Sequence, residues 1–224
     1  MRVYLLIGFL FVMPSVLAIN KPALDSLRAL YPKLETKAQR AEALATIAYL
    51  YASHSSEQAQ LHLDSAERMD IQTPKVEAFS AATRGINLFH QGFYEKALAK
   101  TQTATQLFDS LSLEKELMAS YNQLMMIHTR LHNYSKALYF AQKLLAYFKK
   151  GNRRATILLN VGLIYQATSR LDSATHYFIR SLRLKESPPV DSLGVVIVST
   201  NLVGVFTKLD DNDKALQYNN KLLG

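Results

Sequence analysis

The sequence has 224 residues, of which 49% are apolar and 20% charged, and this apolar content excludes an intrinsically disordered chain. It contains no cysteine, which excludes disulfides, thiolate chemistry and a lipid-modified N-terminal cysteine. The formal net charge is +8, and its one dense basic cluster is Lys149, Lys150, Arg153 and Arg154.

The first eighteen residues have the pattern of a secretory signal peptide. Arg2 precedes an unbroken apolar run from Val3 to Met13, and small or aliphatic residues continue to Ala18. The run is shorter than the roughly 20 residues needed to cross a bilayer, which favours cleavage after Ala18 over an uncleaved anchor. We therefore expect an exported protein, periplasmic or secreted, that contacts a membrane only through this leader or through a missing C-terminal region.

Alanine recurs at intervals near forty residues in the rest of the chain. The recurring residues are Ala59, Ala97, Ala137, Ala174 and Ala215, at spacings of 38, 40, 37 and 41 residues. Eleven or twelve positions before each alanine stands a small or flexible apolar residue, and a large residue follows three positions later. Because offsets of three, four and seven define one face of a helix, each unit is expected to be two amphipathic helices. The small positions are Ala48, Gly85, Met125, Gly162 and Val203, and the large positions are Tyr51, Leu88, His128, Tyr165 and Phe206.

The predicted elements begin with a leader helix near Pro22 to Tyr31, inside a segment 19–36 that follows the signal peptide at 1–18. Helix starts are indicated by capping residues and by a proline at a first helical position. These residues are Thr36 with Gln39, Ser55 with Gln58, Thr73 before Pro74, and Asn133, Asp172 and Asp211. We expect helical pairs at about 37–70, 75–109, 113–150, 153–185 and 190–224, which together form a repeat array over 37–224.

The stretch from Gly85 to Leu98, GINLFHQGFYEKAL, resembles the helix-turn-helix signature of the tetratricopeptide repeat family. The stretch Asn160 to Tyr165, followed by Leu171 to Ala174, is similar. The sequence departs from the family pattern in having no Trp, in the residues at the third and fifth small positions, and in units longer than 34 residues. The resemblance covers roughly residues 37–224 and implies an all-α, right-handed superhelical solenoid of about five helix hairpins with an inner groove.

The sequence contains no motif typical of a catalytic site. His128 and His132 are four residues apart, but no third ligand lies at metal-binding spacing, so a packed or partly exposed histidine is the favoured interpretation. Nucleophile-elbow and phosphate-loop motifs do not occur in the sequence. We therefore expect a non-enzymatic protein with no cofactor and no metal.

The inner groove that the resemblance implies is mostly apolar. This favours an amphipathic helix or an extended peptide as its ligand over the acidic chaperone tails that some family members bind. Packing of Phe79, Ile86 and Phe89 against neighbouring helices is an open alternative. The candidate binding residues are Phe79, Ile86, Phe89, His90, Asn122, Met126, Arg130, Leu163 and Gln166.

The start of the mature chain looks like the periplasmic repeat region of bacterial membrane-bound signalling proteins. Leu24 to Leu27 and Ala43 to Tyr51 carry this resemblance, which implies the sensory or interaction region of an envelope signalling protein. The alternative is a free-standing periplasmic or secreted adaptor of an envelope complex. The last predicted helix ends at Gly224 without a polar capping helix, which favours a sensor fragment, a truncated product or an array completed by a partner.

Both interpretations require a protein or peptide partner and leave the oligomeric state open. Export disfavours nucleic acid as a partner. Cations in a last helical turn interact favourably with the carbonyl end of the helix dipole, so the cluster at Lys149 to Arg154 is interpreted as a solvated turn between helices.

Overall fold

A computed structural model describes residues 20–223, with side chains through Asn220. Within that range the chain forms eleven α-helices, one short 3-10 helix and no strand, which confirms the predicted all-α helical-repeat fold. The predicted signal peptide and its cleavage site after Ala18 lie outside the described residues. The α-helices are α1 Lys21–Leu30, α2 Lys37–Ala52, α3 Ser56–Glu67, α4 Pro74–His90, α5 Tyr94–Ser110, α6 Glu114–Arg130, α7 Tyr134–Tyr147, α8 Gly151–Ala167, α9 Leu171–Glu186, α10 Ser192–Lys208 and α11 Asn212–Leu223, and the 3-10 helix is Tyr31–Lys33.

Successive helices pair as hairpins, which we number repeats 1 to 5 from α2–α3 to α10–α11. Helix packing divides the described chain into an N-terminal block, up to residue 143, and a C-terminal block from residue 144, with the boundary inside α7. In the N-terminal block α2 contacts α4 and α5 contacts α6, and in the C-terminal block α9 contacts α10. Each hairpin therefore buries its apolar face against a neighbouring hairpin, as repeat proteins do.

Four of the polar residues at the predicted helix starts form the expected caps. Thr36 and Gln39 make a reciprocal capping box, with N···O distances of 3.2 and 3.1 Å. The hydroxyls of Ser55 and Thr73 and the carboxylate of Asp211 each accept a hydrogen bond from the backbone N–H three residues later. Asp172 differs slightly from the prediction, because α9 begins one residue earlier, at Leu171.

The turns inside repeats 2 to 5 share one conformation. The residue seven positions after the small position has a positive φ in each of them, between 56° and 83°. Repeat 1 lacks this left-handed residue, which explains why its small position and its alanine are eleven residues apart and those of the other repeats twelve. The left-handed residues are Gly92, His132, Ser169 and Asp210, and the residues after them donate backbone hydrogen bonds of 2.8 to 3.0 Å to the carbonyls of Leu88, His128, Tyr165 and Phe206.

The small positions allow close packing of the two helices within a hairpin. A Cβ atom added at Gly85 would lie 2.6 Å from the Thr101 hydroxyl on α5, and one at Gly162 would lie 2.5 Å from the Phe178 ring on α9. The recurring alanines are fully buried in repeats 1 to 4, and Ala215 is half-buried. At these sites the small residue lets the two helices of the hairpin approach closely.

Large positions carry rings that stack across the hairpin in four of the five repeats. In each stack the partner ring stands three residues after the recurring alanine, on the second helix. Repeat 2 has Leu88 and Lys100 at these places instead. The stacked pairs are Tyr51–His62, His128–Phe140, Tyr165–Tyr177 and Phe206–Tyr218, with ring centroids 5.3 to 5.8 Å apart.

Candidate functional site

A polar side chain stands two residues before the small position in every repeat. This position is polar on the first helix of all five repeats, although these helices otherwise differ in sequence. Because it lies on the helix face opposite the small residue, it does not face the second helix of its own hairpin. We call this set the polar row, and its members are Thr46, Thr83 and Gln123 in the N-terminal block and Asn160 and Asn201 in the C-terminal block.

Three members of the polar row hydrogen-bond to their own helix. The hydroxyls of Thr46 and Thr83 donate to backbone carbonyls four residues earlier, at 2.7 and 2.8 Å. The amide nitrogen of Asn201 donates to the Ile197 carbonyl at 2.8 Å. The hydroxyl oxygens of the two threonines and the amide oxygen of the asparagine can also accept hydrogen bonds, and the three bonds above do not use them as acceptors.

The other two members have buried polar atoms without a hydrogen-bond partner. The Gln123 amide nitrogen is buried and unpaired, and Asn160 is 1% exposed with neither its amide nitrogen nor its amide oxygen bonded. An unpaired buried polar group costs about 1–3 kcal/mol, so an apolar residue would serve stability better at both places.

Four of the sequence-predicted groove residues are buried in the fold. Phe79, Phe89, Met126 and Leu163 are only 1% to 4% exposed. Phe79 packs edge-on against Tyr49 and Phe108 with ring centroids 5.4 and 5.2 Å away. The packing alternative therefore describes these side chains well, and their role in ligand binding stays a prediction.

The remaining predicted residues are more accessible. His90 is exposed, and Ile86, Asn122, Arg130 and Gln166 are half-buried. Desolvation lowers the pKa of His90 below its usual value. Asn122 contacts the Met126 sulfur at 3.6 Å, one turn along α6.

The structure brings the predicted residues and the polar row onto common helix faces. Ile86 follows Thr83 by three residues, and the same spacing separates Met126 from Gln123 and Leu163 from Asn160. Residues three apart are neighbours on a helix surface. Each of these pairs therefore combines an apolar side chain with a hydrogen-bonding group, although only Ile86 and Gln123 among them are half-buried and the others are buried.

Sequence reasoning missed the polar row because it searched for motifs and charged clusters. The row was nevertheless visible in the sequence, since aligning the five units on their small positions places a Thr, Gln or Asn two residues earlier every time. Only the structure reveals that Gln123 and Asn160 have unpaired atoms.

Histidine 128 occupies the large position of repeat 3, and the interpretation of a packed histidine is confirmed. It is 2% exposed and stacks on Phe140 with an interplanar angle of 6°. Burial, with a smaller contribution from the Lys136 charge, lowers the pKa of the ring. Groups of three or more His, Asp or Glu arranged to hold a metal ion do not occur among residues 20–223.

Two open clefts lie inside the blocks. One of about 440 Å³ is lined by α3 and α4 and includes Arg84, which pairs with Glu67, and the buried side chain of Asn87. The other, of about 390 Å³, lies between α9 and the α10–α11 hairpin. Of the helices that the structure describes, none is long and apolar enough to cross a membrane.

No protein-family model and no curated protein sequence matches this chain. Solved structures do match it, at probability 1.00. BtubC (BKLC) from P. vanneervenii has a TM-score of 0.70 and 18% identity, over 90% of this chain and 86% of that one. Cut9, crystallised with Hcn1 as an APC/C hetero-tetramer, has a TM-score of 0.61 and 19% identity, over 91% and 37%. NprR, crystallised with its cognate peptide NprX, has a TM-score of 0.57 and 18% identity, over 90% and 59%.

These structural matches agree with the resemblance noted in the sequence. The chain has the tetratricopeptide-like helical-repeat fold, with helix hairpins of the kind that the matched structures contain. It spans most of the BtubC chain but only part of the other two. At 18–19% identity the likeness concerns the fold alone.

Proposed function

We propose that this chain is a non-catalytic scaffold that binds a protein or peptide segment through the first helices of the repeats in its N-terminal block. The observation that carries the proposal is the polar row of the N-terminal block, where Gln123 is half-buried and its amide nitrogen has no hydrogen-bond partner. An extended peptide has a regular series of backbone N–H and C=O groups that side-chain amides can pair with. The complexes of NprR with a peptide and of Cut9 with Hcn1 support this use of the fold.

Site-specific photo-crosslinking in cells that naturally contain the protein tests the proposal. A photoreactive amino acid at His90, which is exposed on a first helix, is expected to give a discrete adduct with a partner. The matched control carries the same group at Gln102, which is exposed on the second helix α5. Equal adducts at both positions, or none at His90, would contradict the proposal.

Substitutions in the polar row separate binding from stability. Gln123→Met and Asn160→Leu keep the approximate side-chain volume and remove the unpaired polar atoms. Both variants are expected to gain about 1 kcal/mol in free energy of unfolding, because the desolvation cost disappears. Gln123→Met is also expected to weaken the His90 adduct. A stability loss in both variants would instead assign the amides to the fold.

We further propose that the protein works outside the cytoplasm, as the sensory or interaction region of an envelope signalling protein. The leader pattern ending at Ala18 supports export. The likeness of Leu24 to Leu27 and Ala43 to Tyr51 to periplasmic repeat regions supports the signalling role.

A further inference from the structure

The basic cluster of the sequence lies at one edge of the C-terminal block, where α7 and α9 end and α8 and α10 begin. Arg154 donates to the carbonyls of Leu145 and Phe148, both at 2.9 Å, and so joins the end of α7 to the start of α8. Arg153 lies over the Phe148 ring, 5.4 Å from its centroid. The cluster is thus held in place by the fold.

A buried lysine joins the other two helix ends to this cluster. Lys185 is 5% exposed, and its ammonium group lies 2.9 Å from the Asn152 amide oxygen and 2.8 Å from the Asp191 carboxylate. Asn152 belongs to the first turn of α8, and Asp191 caps α10. The start of α8 and the start of α10 are therefore neighbours, and we call this surface the basic edge.

The basic edge has an excess of positive charge. Lys185 and Asp191 neutralise each other, which leaves five cations against one carboxylate and a net charge of +4. At the opposite end of the C-terminal block, in and beside the α8–α9 and α10–α11 turns, three cations and four carboxylates give a net charge of −1. The cations of the basic edge are Lys149, Lys150, Arg153, Arg154 and Arg183, and its remaining acid is Glu186; the opposite end carries Arg170, Lys208 and Lys214 with Asp172, Asp210, Asp211 and Asp213.

Large apolar side chains are exposed on the same edge. Val190, just before α10, is 57% exposed, and Leu193, in the first turn of α10, is 63% exposed. Tyr147, at the end of α7, is 40% exposed. Exposed aliphatic and aromatic side chains beside clustered cations are typical of surfaces that bind the interface of an anionic bilayer.

We propose that the basic edge docks the C-terminal block on an anionic membrane surface, with lipid phosphates against the cations and Val190 and Leu193 in the interface. Charge complementarity favours this partner over a neutral bilayer, and the exposed apolar residues favour it over nucleic acid, which offers no apolar layer. Docking through this edge leaves the opposite, slightly acidic end of the block facing water. This proposal is independent of the polar row.

Vesicle co-sedimentation of the full chain tests the membrane proposal. The probes are neutral phosphatidylcholine vesicles and vesicles with added phosphatidylglycerol. Each basic residue close to an anionic surface increases binding about fivefold, so Lys149→Ala, Lys150→Ala and Arg153→Ala together are expected to weaken binding to anionic vesicles about a hundredfold. All variants contain the same residues 1–19, so the difference reports on the basic edge.

A matched control removes the same charge from the N-terminal block. Lys96, Lys100 and Lys115 are exposed there, and their combined replacement by Ala is expected to change binding less than about threefold. Leu193→Ser is expected to weaken binding about fivefold, with little dependence on salt, because it removes an apolar contact.

Two results would overturn the membrane proposal. One is equal binding of the triple basic-edge variant and the unaltered chain to anionic vesicles. The other is binding of the chain to a short single-stranded oligonucleotide or to polyglutamate with no binding to anionic vesicles. Circular dichroism of every variant checks that the exposed substitutions leave the helices intact.

Discussion

Gly162 illustrates at the residue scale how a single missing side chain sets the distance between two helices. A Cβ atom there would lie 2.5 Å from two atoms of the Phe178 ring, which is itself fully buried. Gly162→Ala therefore forces the ring to move, at a cost of about 1–3 kcal/mol, against a gain of about 1 kcal/mol in helix propensity. We expect a net loss of roughly 1 kcal/mol, measured as a lower urea midpoint.

Gly204 provides the matched control for this substitution. It also lies inside a first helix, but apart from its chain neighbours and the adjacent backbone of its own helix no atom lies within 4 Å of the place where its Cβ would stand. Gly204→Ala is therefore expected to stabilise the protein by about 1 kcal/mol through helix propensity alone. If both alanine variants shifted the midpoint in the same direction, contact with Phe178 would not be the reason for glycine at position 162.

Individual residues also show which features could be predicted from the sequence and which could not. The small positions, the caps and the packed His128 follow from spacing and residue type, and the structure confirms them. The burial of Phe79 and Met126 could not be predicted in this way, because an apolar residue on a first helix has the same spacing whether it packs or binds. Unpaired atoms such as those of Asn160 depend on neighbours that only the fold identifies.

At the scale of elements, the Lys185–Asp191 pair joins three helices of the C-terminal block. Asp191 caps α10 by accepting from the Gly194 N–H at 2.9 Å, and its other carboxylate oxygen accepts from Lys185 at the end of α9. Lys185 also donates to Asn152 on α8. One ion pair with a buried ammonium group thus holds the ends of three helices together.

This pair makes stability depend on pH at the acidic end. The hydrogen bond from Lys185 is the main reason why the pKa of Asp191 lies below its usual value, and the Gly194 N–H contributes in the same direction. A carboxyl group with a lowered folded-state pKa stabilises the fold above its unfolded pKa of about 3.9, and that stabilisation is lost as pH falls through the folded-state pKa.

Asp191→Asn is expected to destabilise the protein by about 2 kcal/mol at pH 7. This is less than the roughly 3–5 kcal/mol typical of a fully buried pair, because the Asp191 side chain is 24% exposed. The difference from the unaltered chain should shrink as pH falls through the lowered folded-state pKa of Asp191. Urea denaturation at pH 7 and pH 3, monitored by circular dichroism, measures both values.

Asp211→Asn is the control for the element-scale prediction. Asp211 caps α11 and pairs with Lys214 at 2.7 Å in the same way, but the Lys214 side chain is 56% exposed. Surface pairs are screened by water, so this variant should lose clearly less stability than Asp191→Asn. Equal losses would mean that capping, and not the buried ammonium group of Lys185, carries the effect.

At the scale of the whole molecule, equivalence between repeats made the fold predictable from sequence. Left-handed turn residues at one offset and stacked rings at another recur in four of the five repeats, so the aligned positions have equivalent surroundings. Helix boundaries could also be predicted, because helix caps and turns depend on residues only a few positions apart in the sequence. The ligand could not be predicted in the same way. A binding surface formed by several first helices depends on residues that are far apart in the sequence.

The export proposal concerns the whole chain and rests on its leader. Removing residues 1–18 takes away one Arg and leaves 25 basic against 18 acidic residues, a net charge of +7. Because the remaining chain has no cysteine, its stability in an oxidising compartment depends on packing between repeats alone.

Mass spectrometry of the protein from a periplasmic or secreted fraction is expected to identify an N-terminal peptide that begins at Ile19. A matched Ala18→Phe variant places a bulky residue where the peptidase requires a small one, so it should accumulate as the uncleaved precursor. Recovery of both proteins with Met1 intact in the cytoplasmic fraction would exclude export, and the partner of the polar row would then have to be sought inside the cell.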